Sequence, residues 1–181
     1  MKNLIRIVAP LIILVSLFGV QQTTFAQESQ DLSDGAIEYN QFLSEQWLEV
    51  TSALGKFTTQ MTSGKGNDLE LHRDALLQQI DESSSAINEK KVFDSNYQLR
   101  AAMLQLLESY RGMAQNEMVE ISTLLKKDNI HDRERTRCQE LTNQMNMTKT
   151  TFERGFVDVQ RQFAENYGLL FFGGSLVKDG Q

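Results

Sequence analysis

Side chains able to act as nucleophile, base or soft metal ligand are scarce in this chain: His72, His131 and Cys138 are its only histidines and its only cysteine. A di-metal bundle needs Glu-x-x-His from two helices, at mid-depth. Leu69 stands three residues before His72, and Asp128 three before His131. Asp128 and His131 are thus the nearest approach to a metal pair. They fall at an expected helix start, where capping and a solvated first turn explain them better, so no metal is expected. A Cys–His nucleophile would have to join Cys138 to His131, about 10.5 Å apart along one helix and beyond hydrogen-bond reach. The haem-attachment pattern C-x-x-C-H, a phosphate-binding glycine loop and the G-x-S-x-G elbow are all missing. The expectation is a chain with no cofactor and no enzymatic activity. Among many carboxylates only Glu117 falls on an apolar stripe, where it is expected to flank the seam in partial contact with water.

The elements that position these residues are long helices. Cys138, Leu141, Met145, Thr148, Phe152, Phe156, Val159, Phe163 and Tyr167 follow one another in steps of three or four, one face of a helix over about 129–167. At 1.5 Å per residue such a helix is about 57 Å long. Tyr39, Leu43, Trp47, Val50, Leu54, Phe57 and Met61 mark a first helix over about 33–61, stopped by Gly64 and Gly66. Asn67 and Glu70 read as a capping box opening a second helix, whose inner face is Leu69, Leu76, Ile80 and Ile87. Ser95 and Gln98 repeat the box before a third helix that runs to about Leu125 through Leu99, Met103, Leu106, Tyr110, Met113 and Ile121. Short loops make neighbouring long helices antiparallel. The predicted fold is all-α: an antiparallel up-down-up-down four-helix bundle with a long last helix. The second helix is much shorter than the fourth, so one end must be thinner than four helices or the last helix must bend.

Met103, Met113, Met118, Met145 and Met147 make the later helices methionine-rich, which at helical spacing reads as core. Cys138 falls on the stripe and is expected to be a buried small hydrophobe rather than a dimer bridge or a reactive thiol. Gly112 and Gly155 lie inside helices at similar depth, which suggests a close helix approach or a small cavity. After Gly168, Leu169-Leu170-Phe171-Phe172-Gly173-Gly174-Ser175-Leu176-Val177 either folds back to cap the bundle or forms a sticky segment for a partner.

The first 26 residues have the parts of a secretory signal peptide: Lys2 and Arg6, an apolar run from Ile7 to Val20, and Ala26 before the expected cut at Gln27. Residues 27–32 then form a disordered mature N-terminus, 33–168 the bundle and 169–181 a C-terminal tail. No cysteine lies near the cut, so lipid anchoring is not expected, and no stable membrane span remains after cleavage. Loss of Lys2 and Arg6 takes the formal charge from −6 to −8. An acidic chain without a basic stripe argues against nucleic acid as a partner.

The ending Phe163-Ala164-Glu165-Asn166-Tyr167-Gly168, with Tyr39-Asn40 and Phe93, resembles a family of small uncharacterised bacterial surface proteins named from a leptospiral member. The resemblance spans about 37–168. It implies an envelope context and no catalytic residues; the lipidated cysteine of some members is absent here. The functional expectation is an exported envelope protein, periplasmic or at the cell surface, that binds or scaffolds an unknown envelope protein, with homo-oligomerisation open. A periplasmic chaperone-like or stress protein is the alternative, and a metal or haem carrier the remote one.

Overall fold

In the computed structural model, the described residues are 9–63, 68–93, 98–127 and 129–178, with side chains described from residue 31 onward. The chain is mostly helical. The elements are α1 (Ala9–Thr62), α2 (Leu69–Glu89), α3 (Gln98–Gln115), α4 (Glu117–Leu125), α5 (Asp132–Asn166), β1 (Leu169–Phe172) and β2 (Ser175–Lys178). The core draws on the stripes read from the sequence: Tyr39, Leu43, Val50, Leu54 and Phe57 from α1, Leu76, Ile80 and Ile87 from α2, and Met103, Leu106, Tyr110 and Met113 from α3 are buried, while Trp47, Met61, Phe152, Val159 and Tyr167 are half-buried against them. Leu141, Met145, Phe156 and Phe163 of α5 close it.

Partners across the helices run in opposite chain directions. Glu49 meets Gln79, and Glu38, earlier on α1, meets Lys90, later in the chain. Asp81 meets Arg111 while Glu70 meets Lys126. Tyr110 meets Glu153 while Glu120 meets Arg137. Trp47 packs edge-on against Phe156, and Met61 sits beside Thr142.

The structure corrects several expectations. α1 does not begin near residue 33; its helical backbone runs from Ala9 and includes 27–32. No proline or glycine lies between Gln21 and Ser33 to stop a helix. The third helix is broken in two at Asn116, where φ is −116° and ψ −81°. The carbonyl of Gly112 accepts both the Asn116 backbone N–H (3.1 Å) and its Nδ2 (2.8 Å). A side chain competing for the helix ladder is a recognised cause of a kink. The kink keeps Met118, Ile121 and Ser122 in the core and leaves Glu117 half-buried in the first turn of α4, where the helix dipole favours a carboxylate.

The Asn67 and Ser95 caps lie outside the described residues. Glu70 is paired with Lys126 at 2.7 Å, and one of the last carbonyls of α2 is served by Arg100 of α3, which donates to the Ile87 oxygen at 2.5 Å. α5 begins at Asp132 with His131 as its N-cap; the His131 backbone N–H donates to Glu134 Oε2 at 2.9 Å. Glu134 also pairs with Lys127.

The fold is all-α apart from one small two-stranded sheet: the tail forms an antiparallel hairpin with Leu170 opposite Val177 and Phe171 opposite Leu176. Gly173 (φ 56°) and Gly174 (φ 91°) turn it. A two-residue type I′ turn needs positive φ at both central positions, which glycine adopts without a Cβ clash.

Gly112 and Gly155 mark no close approach: a Cβ built on either meets nothing within 4 Å. The close approach is at Gly35, where a Cβ would lie 2.5 Å from Phe93 Cε2. The Phe93 ring is held by Tyr39, Phe163 and Tyr167 at centroid distances of 6.2, 6.3 and 5.2 Å, so it has little room to give. Gly155→Ala is therefore expected to raise stability by about 0.5–1 kcal/mol through helix propensity. Gly35→Ala is expected to lower it by about 1–3 kcal/mol through overpacking. Thermal melts of the two variants should shift in opposite directions.

Candidate functional site

The residues singled out for chemistry do not come together. His131 caps α5 and is exposed; His72, on α2, lines a shallow polar cleft with Lys56, Gln79 and Glu82. Asp128 lies outside the described residues. Among the described residues no cluster of three or more His, Cys, Asp or Glu side chains could hold a metal ion. Ala26 and Gln27 lie within the helical backbone of α1. Among the described residues no helix is long and apolar enough to cross a membrane.

Cys138 is free and half-buried, not the fully buried hydrophobe expected. It sits in the early turns of α5, which pack against α4 beyond the deep core. Burial pushes its thiol up from the ordinary range, and the carboxylates of Glu120 and Glu134 push it further the same way. Both carboxylates are themselves held low, Glu120 by Arg137 and Glu134 by Lys127 and the His131 N–H. Of the methionines, Met103, Met113, Met118 and Met145 are core and Met147 is 72% exposed.

Two arrangements that the sequence reading did not find stand out. The first fastens the hairpin to the helices. Asn40 and Gln160 are buried polar residues on opposing faces of α1 and α5. Gln160 Nε2 donates to Asn40 Oδ1 at 2.9 Å and to Ser44 Oγ at 3.3 Å. Asn40 Nδ2 in turn donates to the Gly174 carbonyl at 3.1 Å. The turn glycine that shapes the hairpin is thus the residue the helices grip. Leu169 and Leu176 are buried beneath the hairpin, and Lys178 pairs with Asp34 at 2.7 Å. Each apolar side chain so buried contributes about 1.5–3 kcal/mol, and the hairpin needs that support, because an isolated two-stranded hairpin is marginal in water. Strand alternation sends Leu170, Phe172 and Val177 outward at 40, 65 and 38% exposure. The two readings of the tail therefore divide between its faces: the inner one caps the α1–α5 seam and the outer one is an exposed apolar patch. The signal in the sequence was the Gly-Gly pair between two apolar runs.

The second is a part-buried hydrogen-bonded chain from α1 through Tyr110 of α3 to α5. Trp47 Nε1 donates to Tyr110 Oη at 3.1 Å, Tyr110 Oη donates to Glu153 Oε1 at 2.6 Å, and Lys149 Nζ donates to Glu153 Oε2 at 2.9 Å. Burial, then the bond to Glu153, drives the Tyr110 hydroxyl far above its ordinary range, so it stays a neutral donor. Beside the chain's Lys149 end a cleft of about 330 Å³ opens between α1, α3 and α5.

No family model, curated protein or solved structure matches this chain.

A raised pKa means a smaller thiolate fraction at any given pH, and the thiolate is the reactive form. Cys138 is expected to be alkylated by iodoacetamide at pH 8 more slowly in the folded chain than in the urea-unfolded chain. A folded-state rate equal to or above the unfolded one would contradict that placement.

Proposed function

We propose that the chain is an exported, non-enzymatic helical bundle of the bacterial envelope, which binds another envelope component through the outer face of its C-terminal hairpin. The observation that carries this reading is the exposed Leu170, Phe172 and Val177 patch, held in place from beneath by Leu169, Leu176 and the Asn40–Gln160 grip on Gly174. Contiguous exposed apolar surface on a soluble chain usually marks a contact surface. Here it sits on a hairpin fixed to the helices, so a partner would meet a shaped face rather than a loose tail.

The opposed chain directions of the paired residues support an antiparallel up-down-up-down order of four helices, α3 and α4 together making the third. Export rests on the charge, apolar run and small residue of the first 26 positions. The resemblance to the leptospiral-named surface proteins supplies the envelope context. An absence of enzymatic activity is supported by the dispersal of the histidines and by a lone thiol whose environment disfavours the thiolate.

Replacing Leu170, Phe172 and Val177 together by Ser is expected to leave the melting temperature within a few degrees of the parent. It should abolish capture, on the immobilised chain, of the component that the parent chain captures from native envelope extract. Equal capture by both proteins would overturn the reading. Intact-mass measurement of the exported protein should give a chain beginning at Gln27; retention of residues 1–26 would overturn the export proposal.

A further inference from the structure

The cleft of about 330 Å³ between α1, α3 and α5 has a composition that specifies a ligand class. Leu54, Met113 and Met145 line it with apolar atoms. Unbranched thioethers adapt their shape to a flexible chain more readily than branched side chains do. Gly55 also lines it, and a Cβ built there meets nothing within 4 Å. A mid-helix glycine costs about 1 kcal/mol, and no packing contact among the described residues requires this one. Its effect is to leave a bare stretch of backbone open to whatever enters the cleft.

The polar lining is equally specific. Among the described residues that line it, Lys149 is the only charged one and none is a carboxylate. The Lys149 ammonium has three N–H donors, one of which goes to Glu153 Oε2 at 2.9 Å. Asn146, one helical turn earlier on the same face of α5, adds an amide to the lining. Glu153 does not reach into the cleft; its two oxygens are taken by Tyr110 and Lys149. The Lys149 ammonium, already paired with Glu153, keeps two N–H donors that one carboxylate can accept from; a cationic head group offers them no acceptor, and one paired cation is too few for a phosphate dianion. The volume lies at the small end of ligand pockets, which run from about 300 to 1,000 Å³.

We propose that this cleft binds an alkyl monocarboxylate of medium chain length, with its tail against Leu54, Met113, Met145 and the Gly55 backbone, and its carboxylate on Lys149 and Asn146. The proposal is independent of the hairpin's role, because the cleft and the hairpin share no lining residue.

The test is calorimetric titration of the full chain with decanoate below its micelle concentration, followed in parallel by fluorescence. Trp47 is the only tryptophan and is linked to Lys149 through Tyr110 and Glu153, so a ligand on Lys149 should perturb its emission. Decanoate should bind saturably. Decanol and decyltrimethylammonium should bind at least tenfold more weakly. Lys149→Met should weaken decanoate at least tenfold, bringing it to the level of decanol. Gly55→Leu, which fills open space and leaves the helix intact, should abolish binding while the melting temperature is retained. Absence of a saturable heat with decanoate overturns the proposal. So does decanol or the ammonium compound binding as tightly as decanoate, and so does parental affinity in Lys149→Met.

Discussion

Unequal helix length is the constraint from which the rest of this structure follows. α2 has 21 residues and α5 has 35, a difference of about 21 Å at 1.5 Å per residue. The apolar stripe of the longer helix continues past the end of the shorter one, and apolar surface left in water forgoes roughly 25 cal/mol per Å². That surplus lies at the N-terminal end of α5. At the other end α2 finishes level with α5, where Lys90 meets Glu38 of α1 and Tyr39 of α1 meets Phe163, and there the chain covers the open core twice. Phe93, leaving α2, inserts its ring among Tyr39, Phe163 and Tyr167. The residues after α5 then fold back over the α1–α5 seam as a hairpin with Leu169 and Leu176 inward. At the opposite end the first turns of α5 extend past the end of α1, and α4 lies along them through the Arg137–Glu120 pair. Cys138 lies on those turns, which is why a residue on the apolar stripe is only half-buried.

Covering an apolar seam with a hairpin does not in itself fix where the hairpin sits, since hydrophobic contact is non-directional. Direction comes from the polar grip. Asn40, Ser44 and Gln160 present donors that converge on one carbonyl, that of Gly174. A one-residue slip would move every strand side chain to the other face and would take that carbonyl away from its donors. Buried polar groups that lose their partners cost about 1–3 kcal/mol each, so the wrong register is penalised on both counts. The grip is not fully satisfied: Gln160 Oε1 is buried without a hydrogen-bond partner among the described residues. Part of the cost of specificity thus remains in the folded state.

Helical stripes were legible in the sequence because they repeat. Each buried position of α1 from Tyr39 to Phe57 is one of several at the same spacing, and an error at one leaves the pattern intact. The features that were not legible occur once. Asn116 breaks the third helix through two bonds to one carbonyl, and asparagine elsewhere in these helices does no such thing. Gly35 looks like any helical glycine until Phe93 arrives from nearly sixty positions away. Asn40 and Gln160 read as polar residues beside a stripe, and only their meeting across 120 positions makes them interior. The hairpin was legible in principle, from two apolar runs about a Gly-Gly pair, but each run is too short for periodicity to separate strand from loop. The candidate site suffers most from this: the hairpin face, the Trp47–Tyr110–Glu153–Lys149 chain and the cleft are all products of long-range meetings.

The same distinction bears on the Trp47–Tyr110–Glu153–Lys149 chain. Trp47, Tyr110 and Glu153 come from α1, α3 and α5, so their hydrogen bonds fix the relative position of three helices at one level. One neutral donor, Tyr110, and one lysine meet on a single carboxylate there, and Trp47 donates to the tyrosine in turn. Inside a protein such bonds are stronger than in water, and an unpaired member is correspondingly costly. The helices cannot slide past one another at that level without leaving a buried donor or acceptor alone. Rigidity of this kind is unnecessary for stability, which the stripes already supply, but it holds the walls of the adjacent cleft and the α1–α5 seam beneath the hairpin in one geometry. A binding surface gains affinity from being fixed before its partner arrives, because less ordering remains to be done on association. These polar residues therefore act through position: they set the spacing of the helices that wall the cleft and carry the hairpin.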